Sequence, residues 1–149
     1  MARAFFASKT SDFQITSAGT LVLEGQPMSI RTRKALASYG LSEPDHLSCQ
    51  FGQLHLATDL VVAMEPSHIF WMRRHFPEMS SRTGTLPRLI RDFPKEGNFE
   101  TRVAAMGLAE VEIEEWEEVV DPASGDQEVF DLCAEELESL INQFTMKIL

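Results

Sequence analysis

Asp59-Leu60-Val61-Val62-Ala63-Met64-Glu65-Pro66-Ser67 is the stretch that decides the fold. Leu60–Met64 is a continuous apolar run. It lacks the apolar-polar alternation of a strand with one wet face, so it reads as a strand covered on both faces in a parallel sheet. The residues that follow, Ser67–His75, read as a short helix stopped by Pro77. A strand running directly into a helix is the building unit of an α/β fold.

Working outward, the same order recurs. Residues 2–9 read as a helix with apolar Ala2, Ala4, Phe5 and Phe6, and no capping residue precedes it. Phe13–Ser17 alternates and reads as a strand, after which Ala18-Gly19 turns the chain and 21–28 is a loop. Ile30–Tyr39 reads as a helix with Gly40 at its left-handed C-terminal position. His46–Gln53 is a loop or short helix, and Thr85–Phe93 is helical with Pro87 in its first turn. The final helix is the clearest. Asp126 caps it, Glu128 suits its positive end, and Phe130, Cys133, Leu137, Leu140, Ile141, Phe144 and Ile148 recur at helical spacing. The sequence therefore implies an α/β three-layer sandwich with a parallel sheet. In such sheets ligands sit at the carboxyl ends of the strands, here Ser17 to Leu23 and Met64 to Ser67.

The chain has 149 residues and a hydrophobic fraction of 44%, which fits one domain over 1–149. Residues 94–118 differ in texture: Glu110, Glu112, Glu114, Glu115, Glu117 and Glu118 make them an acidic surface segment, with a helical stretch from Thr101 to Leu108. A solvated face is the reading of those glutamates. The formal charge of −10, from 23 acidic and 13 basic residues, repels phosphate backbones and argues against a nucleic-acid partner. No apolar run reaches the roughly 18 residues of a membrane span, and no signal-peptide pattern opens the chain. Two cysteines, Cys49 and Cys133, make no disulfide scaffold, so a cytoplasmic protein is expected. His68 and His75 lie two helical turns apart, too far for one ion, and His46 and His55 have no further ligand at metal spacing; no metal site and no cofactor are expected. Arg73-Arg74 reads as a solvated pair.

Ser17-Ala18-Gly19-Thr20, Asp59 to Glu65 and Val120-Asp121-Pro122, in this order, resemble the low-molecular-weight protein tyrosine phosphatases. Met1-Ala-Arg-Ala-Phe-Phe6 resembles the helix after their phosphate loop. Phe13 to Gly25 resembles their second strand and the loop beside the cleft. Asp45-His46-Leu-Ser-Cys-Gln50 resembles their His-x-x-Arg-Gln segment with Cys49 in place of Arg. Asp59 to Pro77 resembles their third strand and helix, and Val129 to Phe144 their last helix. The loop Leu21-Val22-Leu23-Glu24-Gly25 lacks the aromatic residue of eukaryotic members and is more similar to bacterial enzymes linked to exopolysaccharide export. Met64-Glu65-Pro-Ser-His68-Ile69 is similar to that branch as well.

The resemblance implies hydrolysis through a phosphocysteine, with a phosphotyrosine protein, such as a bacterial tyrosine kinase, as the partner; phosphoarginine and low-molecular-weight phosphate esters stay open as substrates. It implies Asp121 as general acid, Ser17 and His46 as support for the phosphate loop, and Leu21, Val22 and Leu23 as the rim of the substrate cleft. The bland readings stay open beside these: a plain Asp-Pro turn, a strand-end serine and a loop histidine. Pro122 would hold Asp121 extended and so aim its carboxylate.

The resemblance also implies a loss. Six residues after Cys49 is His55 and six after Cys133 is Ser139, so neither cysteine has the arginine of a Cys-x5-Arg-Ser phosphate loop. Cys133 reads as an inert core residue. The chain is expected to begin just after that loop and to lack the first central strand before it. About four buried apolar side chains would go with such a strand. At roughly 1.5–3 kcal/mol each that is comparable with the whole stability of a domain, about 5–15 kcal/mol. A chain that is inactive as given and marginally stable is the expectation. An internal methionine taken as the start, or a truncated gene, is favoured over a shortened non-enzymatic binding module, because Asp121, Ser17 and His46 are all present.

Overall fold

The computed structural model describes residues 1–149. Its elements run in the order α1 (Ala2–Lys9), α2 (Ile30–Ala37), β1 (Val61–Ala63), α3 (Pro66–His75), β2 (Thr83–Thr85), α4 (Leu86–Asp92), α5 (Phe99–Ala105) and α6 (Gln127–Ile148). Short 3-10 turns occupy Gln53–His55, Pro77–Arg82 and Glu115–Glu117. The chain divides into two compact units, Met1–Phe51 with Asp121–Thr145, and Gly52–Val120 with Met146–Leu149.

The second unit holds the sheet. β1 pairs in parallel with β2, Val61 opposite Thr83, Val62 opposite Gly84 and Ala63 opposite Thr85. The apolar run does form a strand, but with two strands in the sheet its outer edge has no ladder partner, and Val61 and Val62 stay half-buried where full burial was expected. β2 was not visible in the sequence, since Thr83-Gly84-Thr85 has no apolar pattern, yet all three of its residues are buried. Pro66 opens α3, which ends before Pro77 as expected. Thr85 caps α4, its hydroxyl accepting from the Arg88 N–H. α5 starts earlier than the sequence indicated, because the Asn98 side chain accepts from Thr101 N at 2.9 Å and caps it. Ile69, Met72, Met79, Leu86, Leu89 and Leu108 form this unit's core. The Arg102 guanidinium lies 4.6 Å from the Phe93 ring and donates to the carbonyls of Pro94 and Lys147. It thereby satisfies an acceptor in the last turn of α6.

The acidic stretch is not uniformly a solvated face. Glu110, Glu112, Glu114, Glu115 and Glu118 are exposed, but Glu117 is fully buried. Arg88 binds it through Nε at 2.8 Å and through a second, very short contact from its terminal nitrogen. Thr85 Oγ1 donates to it at 2.7 Å, and the Glu114 N–H adds another bond at 2.9 Å. A buried carboxylate is tolerated only with such partners.

In the first unit, α6 buries Phe130, Cys133, Ala134, Leu137, Ile141 and Phe144 along one face, the stripe its periodicity implied. Asp126 caps it, accepting from Val129 N at 3.3 Å. Phe6 meets Phe144 edge-on at 5.9 Å, and Phe5 meets Tyr39 at 5.1 Å. α2 is capped by Ser29 and closes at Gly40, φ 71°, whose N–H donates to Ala37 O.

The strand expected over Phe13–Ser17 does not form. Half-buried Phe13 and Ile15 alternate with exposed Gln14 and Thr16, as in a strand, but the segment joins neither the sheet nor an isolated bridge. The first pairing comes at Gly19, which donates to Cys49 O at 2.9 Å and accepts from Phe51 N at 2.8 Å. A second, antiparallel bridge joins Pro27 and Leu47.

Candidate functional site

Ser17, Leu21, Val22, Leu23, His46 and Asp121 all fall in the first unit. Ser17 is exposed, and its carbonyl accepts from Cys49 Sγ at 3.2 Å. The cysteine at the position where the resemblance expects arginine thus touches the end of the Phe13–Ser17 segment. His46 is half-buried in the turn after α2, its N–H donating to Glu43 O. Burial holds the His46 imidazole below its ordinary pKa, and the positive charge of Arg3 adds to this. Arg3 itself is ion-paired with Glu43. At neutral pH His46 is therefore an uncharged hydrogen-bonding group.

Asp121 is exposed, and its Oδ1 accepts from Ala123 N at 2.8 Å. Ala123 takes φ 38°, and Gly125 N returns to Pro122 O at 2.7 Å. This is an Asx-type turn, in which the carboxylate is tied to local backbone and one oxygen stays available. Burial pushes the Cys133 thiol up; Glu136 raises it further, the amino group of Met1 opposes, and Asp121 adds to the rise. A buried thiol with a raised pKa is a poor nucleophile. α1 starts at Ala2 with no side-chain cap. No hydrogen bond joins Ser17, His46 and Asp121 to one another. No group of three or more His, Cys, Asp or Glu side chains is placed to hold a metal ion.

Gln50 organises the loop between Thr20 and Glu24, a role the sequence did not reveal. Its Nε2 donates to Thr20 O at 2.8 Å, its Oε1 accepts from Val22 N at 3.2 Å, and its own N–H donates to Glu24 Oε1 at 2.7 Å. Ser48 Oγ donates to Leu23 O at 2.5 Å and accepts from Gln26 N at 2.9 Å. The loop is compact and closed by its own polar groups. Nothing in the local pattern signals this, because Gln50 and its partners lie 28 and 30 residues apart.

The family model described as low molecular weight phosphotyrosine protein phosphatase matches residues 1–149. The chain belongs to this family. Among curated proteins, a protein-arginine-phosphatase from Geobacillus stearothermophilus is 27% identical over 137 residues, 91% of this chain and 76% of the relative. Among solved structures, the YwlE arginine phosphatase from Geobacillus stearothermophilus superposes with a TM-score of 0.78 at 25% identity, covering 99% of this chain and 82% of that one. A low molecular weight protein tyrosine phosphatase from T. tengcongensis gives 0.75 at 27% identity, covering 98% of this chain and 88% of that one. The low molecular weight phosphatase fold, α/β with a small parallel sheet, is thus established for this member of the family, which is related to both arginine and tyrosine phosphatases. No helix is long and apolar enough to cross a membrane.

Proposed function

We propose that this chain supplies the general acid and the supporting residues of a two-step phosphoryl transfer, and lacks the nucleophile of the first step. One observation carries this reading. The family model spans all 149 residues, while neither Cys49 nor Cys133 has an arginine six positions on. In the complete reaction the thiolate of a Cys-x5-Arg-Ser loop attacks phosphorus, and the P–O bond to the leaving group breaks as Asp121 gives that oxygen its proton. Water then attacks the phosphocysteine, Asp121 takes the water proton, and the P–S bond breaks to release phosphate and thiolate. Ser17 and His46 hold the loop through hydrogen bonds; the neutral state of His46 suits that role. Leu21, Val22 and Leu23 rim the cleft. The architecture that accompanies this reading is a three-layer sandwich whose central strand leads into the loop.

The substrate class is a cytoplasmic phosphoprotein. The non-aromatic loop Leu21-Val22-Leu23 favours the exopolysaccharide-linked branch, with a bacterial tyrosine kinase as partner. A second reading, phosphoarginine, is favoured by the arginine phosphatase among the relatives.

The test joins the chain to a strand and Cys-x5-Arg-Ser segment and assays phosphotyrosine and phosphoarginine peptides. Hydrolysis is expected, and Asp121→Asn is expected to lower kcat by about 10²–10⁴-fold. An unchanged kcat in that variant removes Asp121 from the mechanism. A folded but inactive joined protein favours the runner-up, a non-enzymatic phosphatase-like binding module.

A further inference from the structure

From Met106 to Asp126 the chain forms no helix or strand beyond one 3-10 turn, yet its middle is tied down almost residue by residue. Arg73 donates to the carbonyls of Leu108 and Val111 at 3.1 and 2.7 Å, and Arg88 donates to that of Glu112 at 2.8 Å. The Arg91 guanidinium lies 4.1 Å from the centre of the Trp116 ring. Glu117, fully buried, is held by Arg88 and Thr85. Val119, 4% exposed, donates its N–H to Met64 O at 2.7 Å. This strap over 108–119 and all its partners belong to the second unit.

A surface connection has no need of a buried carboxylate. Burying one is costly without full hydrogen bonding, and the ion pair it forms adds little over an apolar pair of similar volume. What such a pair does supply is a definite place. Glu117 sits where the Arg88 fork, the Thr85 hydroxyl and the Glu114 N–H converge. That place matters because of the residues that follow. The Val119 bond lies at the carboxyl end of β1, the end at which ligands sit in parallel sheets. Val120 is 61% exposed, and Asp121 comes next. Beyond it the Ala123 N–H donates to Asp121 Oδ1 and the Gly125 N–H to Pro122 O. Val120 and Asp121 are therefore exposed between two backbone anchors.

We propose that Glu117 is a positioning residue for Asp121. Through Arg88 and Thr85 it keeps the strap seated and the Val119 N–H on Met64 O, and so fixes the backbone from which Asp121 presents its carboxylate. Glu117 itself touches no substrate. The inference rests on the reading of Asp121 as general acid and names what holds that acid in place. An acid must come within hydrogen-bond reach of the leaving oxygen, and a misplacement of about 1 Å can cost about 10²-fold in rate.

The first arm of the test uses the 149-residue chain. Glu117→Gln, close to the native side chain in shape, is expected to speed amide exchange at Val119 at least tenfold more than at Ile141 in α6. Protection at Val119 that follows Ile141 overturns the proposal whatever the assays show. The second arm uses the joined protein described above and compares kcat/KM for phenyl phosphate and p-nitrophenyl phosphate. An acid counts most where the leaving oxygen is most basic, so Asp121→Asn is expected to lose at least tenfold more on the phenyl ester. Glu117→Gln is expected to show the same bias, and to add little to it in the Asp121→Asn background. Equal loss on both esters, or full additivity with Asp121→Asn, marks a residue that only supports the fold and overturns the proposal. No turnover, or no bias in Asp121→Asn itself, sinks the acid reading and this proposal with it. The exchange result at Val119 tells that failure apart from a strap that Glu117 does not hold.

Discussion

Glu117 is the residue whose environment most constrains this chain. Burial pushes its carboxyl up, but the hydrogen bonds from Arg88, Thr85 and the Glu114 N–H more than offset this and hold it below the ordinary value. Arg88 is raised in turn, chiefly by its hydrogen bond to Glu117. Removing one partner strands the other, so Glu117→Ala is expected to cost about 3–5 kcal/mol in chemical denaturation; under about 1 kcal/mol, the behaviour of an exposed glutamate, would refute the buried pair. The pH dependence follows from the same shift. A carboxylate depressed in the folded state contributes fully above its unfolded pKa of about 4.3 and loses that contribution as pH falls through the lower folded value. Glu117→Gln is expected to flatten the acid limb of the stability curve, and an unchanged limb would assign it to other carboxylates. None of this was legible in a run of six glutamates, because Arg88 and Glu117 lie 29 residues apart. Asp121, Ser17 and His46 stood out in the sequence because each belongs to a short, ordered motif.

At the scale of elements, legibility followed the range of the forces involved. α6 was plain because burial at helical spacing is written locally, and Pro66, Pro77 and Gly40 mark their own boundaries. Phe13–Ser17 shows the opposite case, since alternation is local but a strand is a property of two segments. β2 was hidden for a related reason. Gly84 has no side chain to contribute to a pattern, and its place is set by what packs on it. A Cβ there would stand 3.1 Å from Leu89 Cδ2 and 3.2 Å from Leu108 Cδ2. Both leucines are buried and have little room to yield. Gly84→Ala is therefore expected to destabilise by about 1–3 kcal/mol, read as a lower denaturation midpoint at unchanged slope. A neutral or stabilising outcome would mean that the space beside β2 is looser than its geometry shows.

For the whole molecule, the sheet is the weak point. An isolated pair of strands is marginal, and open edges invite pairing with other chains. β1 and β2 form three registered pairs and no more. The 149-residue chain is expected to melt broadly or below about 45 °C and to associate on heating, whereas a cooperative monomeric melt above about 65 °C contradicts that expectation. The proposal is chemical: Asp121 serves as the acid, and neither cysteine of this family member can start the reaction. Its most direct test is hydrolysis of p-nitrophenyl phosphate by the purified 149-residue chain. Release of p-nitrophenol is expected to be no faster than in buffer, with no phosphate bound covalently to the protein. Turnover above background that disappears in Cys49→Ser or Cys133→Ser would contradict it.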